Sequence, residues 1–454
     1  MEPNSFRPIA LTPFLAKLFE RCIHPQLINH MDRFEIFSRN QYGFRSGLST
    51  ESALLEVNNM IRTSVSGGNV VAAILCDISK AFDCLDHLIL LSILSHYGAS
   101  FDVVSWFSSY LSERSIRVAS RGVVSDSFTV SHGVGQGTVL GPSLFLLYVN
   151  HILLLSCSGG SSRIIAFADD TSVLFPLQKG RLNFKIADCN TTLNDLFEAF
   201  TSLRLALNPT KTKLMFFRSS LSKLHLPINA FCINGVPLTS VDSSTLLGVT
   251  FQANLSWLGH IDKVCKRSAC AISILHRLRQ FGTDLKTLIL VYKTLFLPIA
   301  TYCLLVWGGG PNYILKRMQV LQNDALRAVL GVDRSHSGSQ IRQRLRLLSM
   351  KKLFYLRLYL LGHGLYYSSH QCPWTSASPS FLSPLLPLER SSPIRQLRSH
   401  SLPNLPIPKY LSQMARQCSA YLAPIHWNSL PTHIRLTKSR PKFKQMCISY
   451  LLEK

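Results

Sequence analysis

The stretch IIAFADDTSVLF, residues 164–175, decides how this chain is read. Two short apolar runs, 164–167 and 172–175, are separated only by Ala168, Asp169, Asp170 and Thr171. Apolar runs of that length around a short polar break predict two strands joined by a tight hairpin. Two adjacent carboxylates then stand at the hairpin tip. An Asp-Asp pair is also an ordinary polar turn, so the surrounding sequence has to choose between the two readings.

The surroundings supply a third acid in a costly place. Residues 70–76, VVAAILC, follow a Gly67-Gly68-Asn69 turn and form a continuous apolar run that ends on Asp77. Such a run predicts a strand buried on both faces. Neighbouring carboxylates repel, and burying them near another acid requires a compensating cation. Oxygen donors with open positions suit Mg²⁺. Two such ions activate an attacking hydroxyl and stabilise the leaving oxygen in phosphoryl transfer. Side chains of neighbouring strand residues face opposite ways, so Asp169 is the safer ligand of the pair, although a hairpin tip relaxes that rule.

Working outward, residues 50–64 carry Ala53, Leu54, Val57 and Ile61 at helical spacing. Asp83, with Asp86 three residues on, resembles a helix cap before the apolar run 88–94, and Gly98 stops that helix. Residues 117–130 alternate as a hairpin turning near Arg121-Gly122, residues 191–205 form an amphipathic helix, and residues 213–217 form a strand. Beyond Ile261 the pattern is mostly helical. Residues 368–408 break it with eight prolines between Pro373 and Pro408 and many serines, which predicts a linker. A last helical segment covers residues 442–452.

The net charge of +24 implies a polyanionic partner, and its distribution is lopsided. After Phe251 there are 28 Lys and Arg against six acids; up to Phe251 there are 20 against 18. A basic half beside a nearly neutral half predicts a polyanion-gripping module attached to something else, although a solubilising surface is the plainer alternative. The 12 cysteines show no C-x-x-C pair and no Cys/His zinc spacing, so free, mostly buried thiols in a reducing compartment are expected. The most apolar stretch, 288–307, contains Lys293 and Pro298 and reads as a buried helix pair. The run 144–155 is too short to span a bilayer and is broken by Asn150 and His151.

Seven blocks in a fixed order give these features a common meaning: NSFRPIALT (4–12), QYGFRSGLST (41–50), CDISKAFDCLDH (76–87), GVGQGTVLGPSLF (133–145), AFADD (166–170), LALNPTKTKLMFF (205–217) and LLGVTFQANLSWLGHI (246–261). Together they resemble the reverse transcriptase domain of LINE-type, non-LTR retrotransposons of the jockey and CR1 kind. Weaker echoes follow in LQNDALRAVLG and HWNSLPTHIR. The resemblance implies an α+β right-hand polymerase: fingers, a palm with an antiparallel sheet, a helical thumb, and a mostly helical basic C-terminal region. It implies Asp77, Asp169 and Asp170 as the metal triad for two Mg²⁺ ions, with Mn²⁺ as a substitute. By position, Phe82 matches the aromatic gate that excludes a ribose 2′-hydroxyl, and Gln136 the residue that meets the incoming nucleotide. Arg7 matches a fingers residue on the triphosphate, and Lys211 the lysine that protonates the leaving pyrophosphate. Phe82, Arg7 and Lys211 also have plainer readings, as a core phenylalanine, a surface arginine and a solvated lysine.

Gly135 stands where the family usually has proline, which loosens the loop by up to ~1 kcal/mol. Phe200 stands at or beside a family tryptophan. The basic strand and the endonuclease that precede the R-P-I block in the family are not in this sequence, so a truncated copy or partial gene model is expected. The expected layout is incomplete fingers and palm over 1–251, thumb and connection over 252–367, linker over 368–408 and a helical segment over 409–454. The expected activity is RNA-directed DNA polymerisation in the nucleus and cytoplasm. The expected partners are an RNA template, a DNA primer or target and dNTPs, with no membrane. The alternative is an inactive remnant that binds nucleic acid through its basic half. A phosphatase or nuclease would use the same carboxylates, but nothing else in the chain supplies a hydrolytic site.

Overall fold

A computed structural model describes residues 9–79, 81–120, 122–155, 162–178, 182–219, 230–371, 404–410 and 412–454. The chain divides into two compact units. The first comprises residues 1–49, 71–216 and 223–241; the second comprises residues 50–70, 217–222 and 242–454.

The first unit is built on a five-stranded sheet. Its strands are β1 (Val70–Cys76), β2 (Arg163–Phe167), β3 (Asp170–Leu177), β4 (Lys213–Phe217) and β5 (Thr239–Ser240), in the order β5-β4-β1-β3-β2. β2 and β3 are antiparallel, whereas β4 and β5 run parallel, so the sheet is mixed rather than antiparallel throughout. β1 is buried almost end to end, as its unbroken apolar sequence requires. The unit also holds the helices α1 (Phe14–Arg33), α2 (Gly141–Leu155) and α3 (Leu182–Ser202), of which α3 packs on β3.

Several local expectations change in detail. The β2–β3 register pairs Phe167 with Asp170, so the turn is Ala168-Asp169 alone and Asp170 opens β3. Asp86, not Asp83, caps the helix His87–His96, accepting from the N–H groups of Leu88 and Ile89. α3 begins nine residues earlier than expected and ends at Ser202, because Arg204 turns left-handed with φ 54°. The ribbon at 115–129 pairs Ser115 with Thr129 and Ala119 with Val124; Arg121, part of the expected turn, lies outside the described residues.

The second unit is mostly helical, with one hairpin of Ser243–Leu246 and Val249–Gln252. The helix Thr50–Ser66 belongs to it and buries Ala53, Leu54, Val57 and Ile61. The apolar stretch at 288–307 is helical from Leu285 to Ala300, with one π-helical turn at Tyr292–Phe296, and then breaks at Cys303 (φ 48°) before Leu304–Trp307. No helix among the described residues is long and apolar enough to cross a membrane. The helix Met350–Gln371 runs into the start of the Pro/Ser-rich stretch, and residues 372–403 lie outside the described residues. The chain returns at Leu405, whose N–H and C=O both bond the side chain of Asn428 at 2.9 Å. Gln322, fully buried, donates to the Tyr292 hydroxyl and the Leu348 carbonyl at 2.9 Å each, which gives the LQNDALRAVLG block a structural role. Eight of the cysteines among the described residues, including buried Cys76, Cys303, Cys418 and Cys447, are free thiols.

Candidate active site

The three expected carboxylates stand at the ends of adjoining strands. Asp77 follows β1; Asp169 sits in the two-residue turn and Asp170 opens β3, the neighbour of β1 in the sheet. Asp77 and Asp169 are half-buried and Asp170 is exposed. Ala168 adopts φ 57°, a left-handed conformation that costs a non-glycine residue roughly 1–3 kcal/mol and persists only where its surroundings impose it. Among the described residues, no three His, Cys, Asp or Glu side chains gather closely enough to hold a metal ion. The donors are all oxygen, which suits Mg²⁺. That ion takes one or two carboxylates and completes its shell with water and substrate phosphates.

The backbone at Asp77 is fixed by the LNPTKT block. The Asn208 N–H donates to the Asp77 carbonyl at 2.9 Å, and the Asp77 N–H donates to the hydroxyl of buried Thr212 at 3.3 Å. Asn208 also accepts from the N–H groups of Thr210 and Lys211, which closes the turn. Exposed Lys211 therefore stands on a turn bonded directly to the Asp77 backbone. Residues 78–79 pair with 206–207 and extend the same junction.

The loops carrying Phe82 and Gln136 are zipped together. The Gly133 N–H donates to the Leu85 carbonyl at 2.6 Å, the Val134 N–H to the Phe82 carbonyl at 2.9 Å, and the Gln136 amide to Asp83 Oδ1 at 3.1 Å. Gly133 has φ 84°, and a Cβ there would lie 2.7 Å from the Asp83 carbonyl oxygen, so only glycine fits. Phe82 stacks on Phe145 at 4.4 Å between centroids and meets Phe44 edge-on at 6.3 Å. It is half-buried, so part of its ring faces outward.

Two buried acids hold this loop from behind. Glu20, on α1, accepts from the Val139 and Leu140 N–H groups just ahead of α2, and from the Tyr110 hydroxyl at 2.9 Å. The Ala10 N–H donates to the Gln136 carbonyl at 2.7 Å, which ties the R-P-I-A block to the loop. Asp86 pairs with Arg204 at 2.5 Å and lies 3.8 Å from His132. Burial alone would raise the Asp86 carboxyl. The Ile89 N–H, the Arg204 guanidinium, the Leu88 N–H and His132 outweigh it and hold the carboxyl below its ordinary range.

The structure thus brings Phe82 and Gln136 into one loop assembly and seats Asp77 beside the Lys211 turn. It places Asp169 and Asp170 on the adjoining strand. Arg7 lies outside the described residues. Sequence reasoning did not single out Gln41, Glu20, Asn208 or Thr212. Gln41, Asn208 and Thr212 lie inside quoted blocks, but nothing in their spacing tells that the side chains of Gln41 and Thr212 are buried.

The chain belongs to the reverse transcriptase (RNA-dependent DNA polymerase) family, whose model matches residues 2–261. Within it the chain is of the non-LTR retrotransposon type, similar to the jockey, BS and X-element enzymes. It is 28% identical over 340 residues to a probable RNA-directed DNA polymerase from transposon X-element and 29% identical over 345 residues to that from transposon BS. It is 24% identical over 339 residues to the polymerase of mobile element jockey, all three from Drosophila melanogaster. These matches cover 73%, 72% and 72% of this chain, and the chain spans 36% of each relative. Solved telomerase structures from Candida tropicalis and Candida albicans, at 12% and 14% identity, cover 74% and 82% of this chain and 54% and 59% of their own. Their TM-scores are 0.37 and 0.36, a likeness too distant to define the fold.

Proposed function

We propose that this chain is the polymerase portion of a non-LTR retrotransposon enzyme, with fingers, palm and thumb, copying an RNA template into DNA from a primer 3′-hydroxyl. The observation that carries the reading is the placement of Asp77 after β1 and of Asp169-Asp170 at the start of the adjoining strand. The primer oxygen attacks the α-phosphorus of a dNTP, a new phosphodiester bond forms, and pyrophosphate leaves. Asp77 and Asp169, with Asp170 beside them, would hold two Mg²⁺ ions. Such ions supply charge stabilisation on the attacking and leaving oxygens. Lys211 gives a proton to the departing pyrophosphate. Gln136 contacts the incoming nucleotide, Phe82 blocks a 2′-hydroxyl by volume, and Arg7 binds the triphosphate. RNA template, DNA primer or target, and dNTPs are the proposed partners, and the nucleus and cytoplasm the proposed compartments.

The test is primer extension on an RNA template by the purified chain, with Asp77→Asn and Asp169→Asn as variants. Extension by the wild type and its loss in both variants is expected. Equal extension by all three would sink the carboxylate assignment. Tight nucleic-acid binding without any extension would favour a remnant that only binds.

A further inference from the structure

Gln41 is almost wholly buried, at 1% exposure, in the loop that borders β2. Its Oε1 accepts two backbone hydrogen bonds: from the Gly43 N–H at 2.8 Å and from the Ala168 N–H at 3.0 Å. Two N–H donors on one atom identify it as the oxygen, since an amide NH₂ there would face them donor to donor. The Nε2 on the other side is buried with no hydrogen-bond partner in the structure. Leaving a buried donor unpaired is unfavourable. A side chain that carries this penalty while its oxygen is doubly bonded owes its place to the acceptor.

The atom it grips matters. Ala168 is the left-handed residue of the turn, and Asp169 is the next residue along. The loop around Gln41 is itself a rigid support. The Ala166 N–H donates to the Asn40 carbonyl at 2.9 Å, and the Tyr42 N–H donates to the Ala166 carbonyl at 2.8 Å. Asn150, buried on α2, accepts from the Ser38 N–H and donates to the Ile36 carbonyl, at 2.8 Å each. Arg45 donates to the Ser38 carbonyl at 2.9 Å. Gly43 completes the fit, because a Cβ there would overlap the Ala168 nitrogen. The loop therefore meets the hairpin with backbone against backbone and a single buried acceptor between them.

We propose that Gln41 is a positioning residue for the carboxylate hairpin: its oxygen holds Ala168 left-handed and so sets the direction in which Asp169 points. The consequence for catalysis rests on the proposed polymerase function, whereas the consequence for the hairpin does not. A carboxylate must be held to within about half an ångström to serve a reaction centre, and a loosened turn loses that placement without losing the fold.

The test uses the full chain with Gln41→Met, which keeps volume and removes the acceptor, and Gln41→Glu, which keeps the acceptor. Amide exchange in the segment spanning 164–175 and Mn²⁺ binding by electron paramagnetic resonance are read beside primer extension. In Gln41→Met, exchange at the turn and the Mn²⁺ dissociation constant should both rise about tenfold, the scale of one or two lost hydrogen bonds. The turnover number should fall by a similar factor while the dNTP KM stays within about twofold. Gln41→Glu should retain the protection and the Mn²⁺ binding of the wild type. Wild-type exchange and Mn²⁺ binding in Gln41→Met would overturn the proposal, as would loss of protection in Gln41→Glu with retention in Gln41→Met. If the wild-type chain extends no primer, the polymerase reading falls, and the exchange comparison still decides what holds the hairpin.

Discussion

The side-chain amide of Gln136 donates to the carboxylate of Asp83 across 3.1 Å, one residue from Phe82. Asp83 therefore orients the amide that the proposed reaction directs at the nucleotide. Gln136→Leu removes the contact and should raise the dNTP KM roughly 10- to 100-fold, the range for a hydrogen bond to a charged partner. Asp83→Ala frees Gln136 without deleting it, so a smaller rise of about tenfold or less is expected. Steady-state extension kinetics measure both. An unchanged KM in Gln136→Leu would leave Gln136 as a loop fastener only.

Phe82 lies between Phe145, stacked at 4.4 Å, and Phe44, edge-on at 6.3 Å. Both contacts fix the ring plane, which a steric gate requires. Phe82→Ala should increase the efficiency of rNTPs relative to dNTPs. It should also lower stability by about 1–3 kcal/mol, since a half-buried ring leaves less of a cavity than a core phenylalanine. The efficiency ratio separates the roles: an unchanged ratio with lowered stability would make Phe82 an ordinary packing residue.

Where the side-chain pattern and the burial pattern coincide, the sequence was legible. The unbroken apolar run of β1 and the face of Ala53, Leu54, Val57 and Ile61 are such cases. α1 shows why others were not. It leaves Phe14 and Leu15 about three-quarters exposed and buries Glu20 at 2%, the reverse of what hydropathy suggests. Glu20 is satisfied by N–H groups some 120 residues away, and no local period records such a partner. Gln41 and Thr212 are hidden for the same reason. Asp83 and Asp86 both fit a cap by residue type, and only the backbone geometry gives the cap to Asp86 and the amide of Gln136 to Asp83. That Asp77 and the Asp169-Asp170 pair stand at strand ends was legible from the apolar runs, whereas the adjacency of those strands in the sheet belongs to tertiary packing alone.

His260 ties the hairpin 243–252 to the helix Leu258–Gln280. Its ring is buried, Nδ1 accepts from the Thr250 N–H at 3.3 Å, and Nε2 has no hydrogen-bond partner in the structure. Burial, helped by Lys263 and Arg267, lowers its pKa to about 4 from an ordinary value near 6.5. The folded state thus takes the proton less readily than the unfolded chain. Stability from this site is intact above about pH 6.5, declines as pH falls towards about 4, and levels off below that. The loss over the window is about 3 kcal/mol. Urea unfolding at pH 7 and pH 4.5, for wild type and His260→Asn, checks it. The variant should lose about 2 kcal/mol less between the two pH values than the wild type. Equal losses would show that the ring is protonated in place.

The basic half is expected to supply most of the grip on nucleic acid. The chain after Phe251 carries 28 Lys and Arg against six acids, and the helix Leu258–Gln280 and the helix Asn312–Leu330 expose Lys266, Arg277 and Lys316. A cut at Phe251 would test the charge poorly, because the helix Thr50–Ser66 belongs to the same compact unit as the C-terminal helices. Its Arg62 donates to the Gln417 side chain at 3.2 Å, so a C-terminal fragment loses part of its own core. Charge substitutions in the full chain avoid this. Each phosphate contact releases counterions, so log K falls with log salt by roughly 0.9 per contact on duplex and roughly 0.7 on a single strand. Lys266→Gln, Arg277→Gln and Lys316→Gln together should weaken binding and flatten the slope by up to about 2–3 on duplex, without changing which sequences bind. Arg33→Gln and Arg39→Gln, in the nearly neutral half, should leave the slope within about one contact's worth of the wild type. Fluorescence anisotropy with duplex and single-stranded probes across a salt series measures both. If the second pair flattens the slope more than the first trio, the grip lies in the first unit, and the basic helices serve another partner.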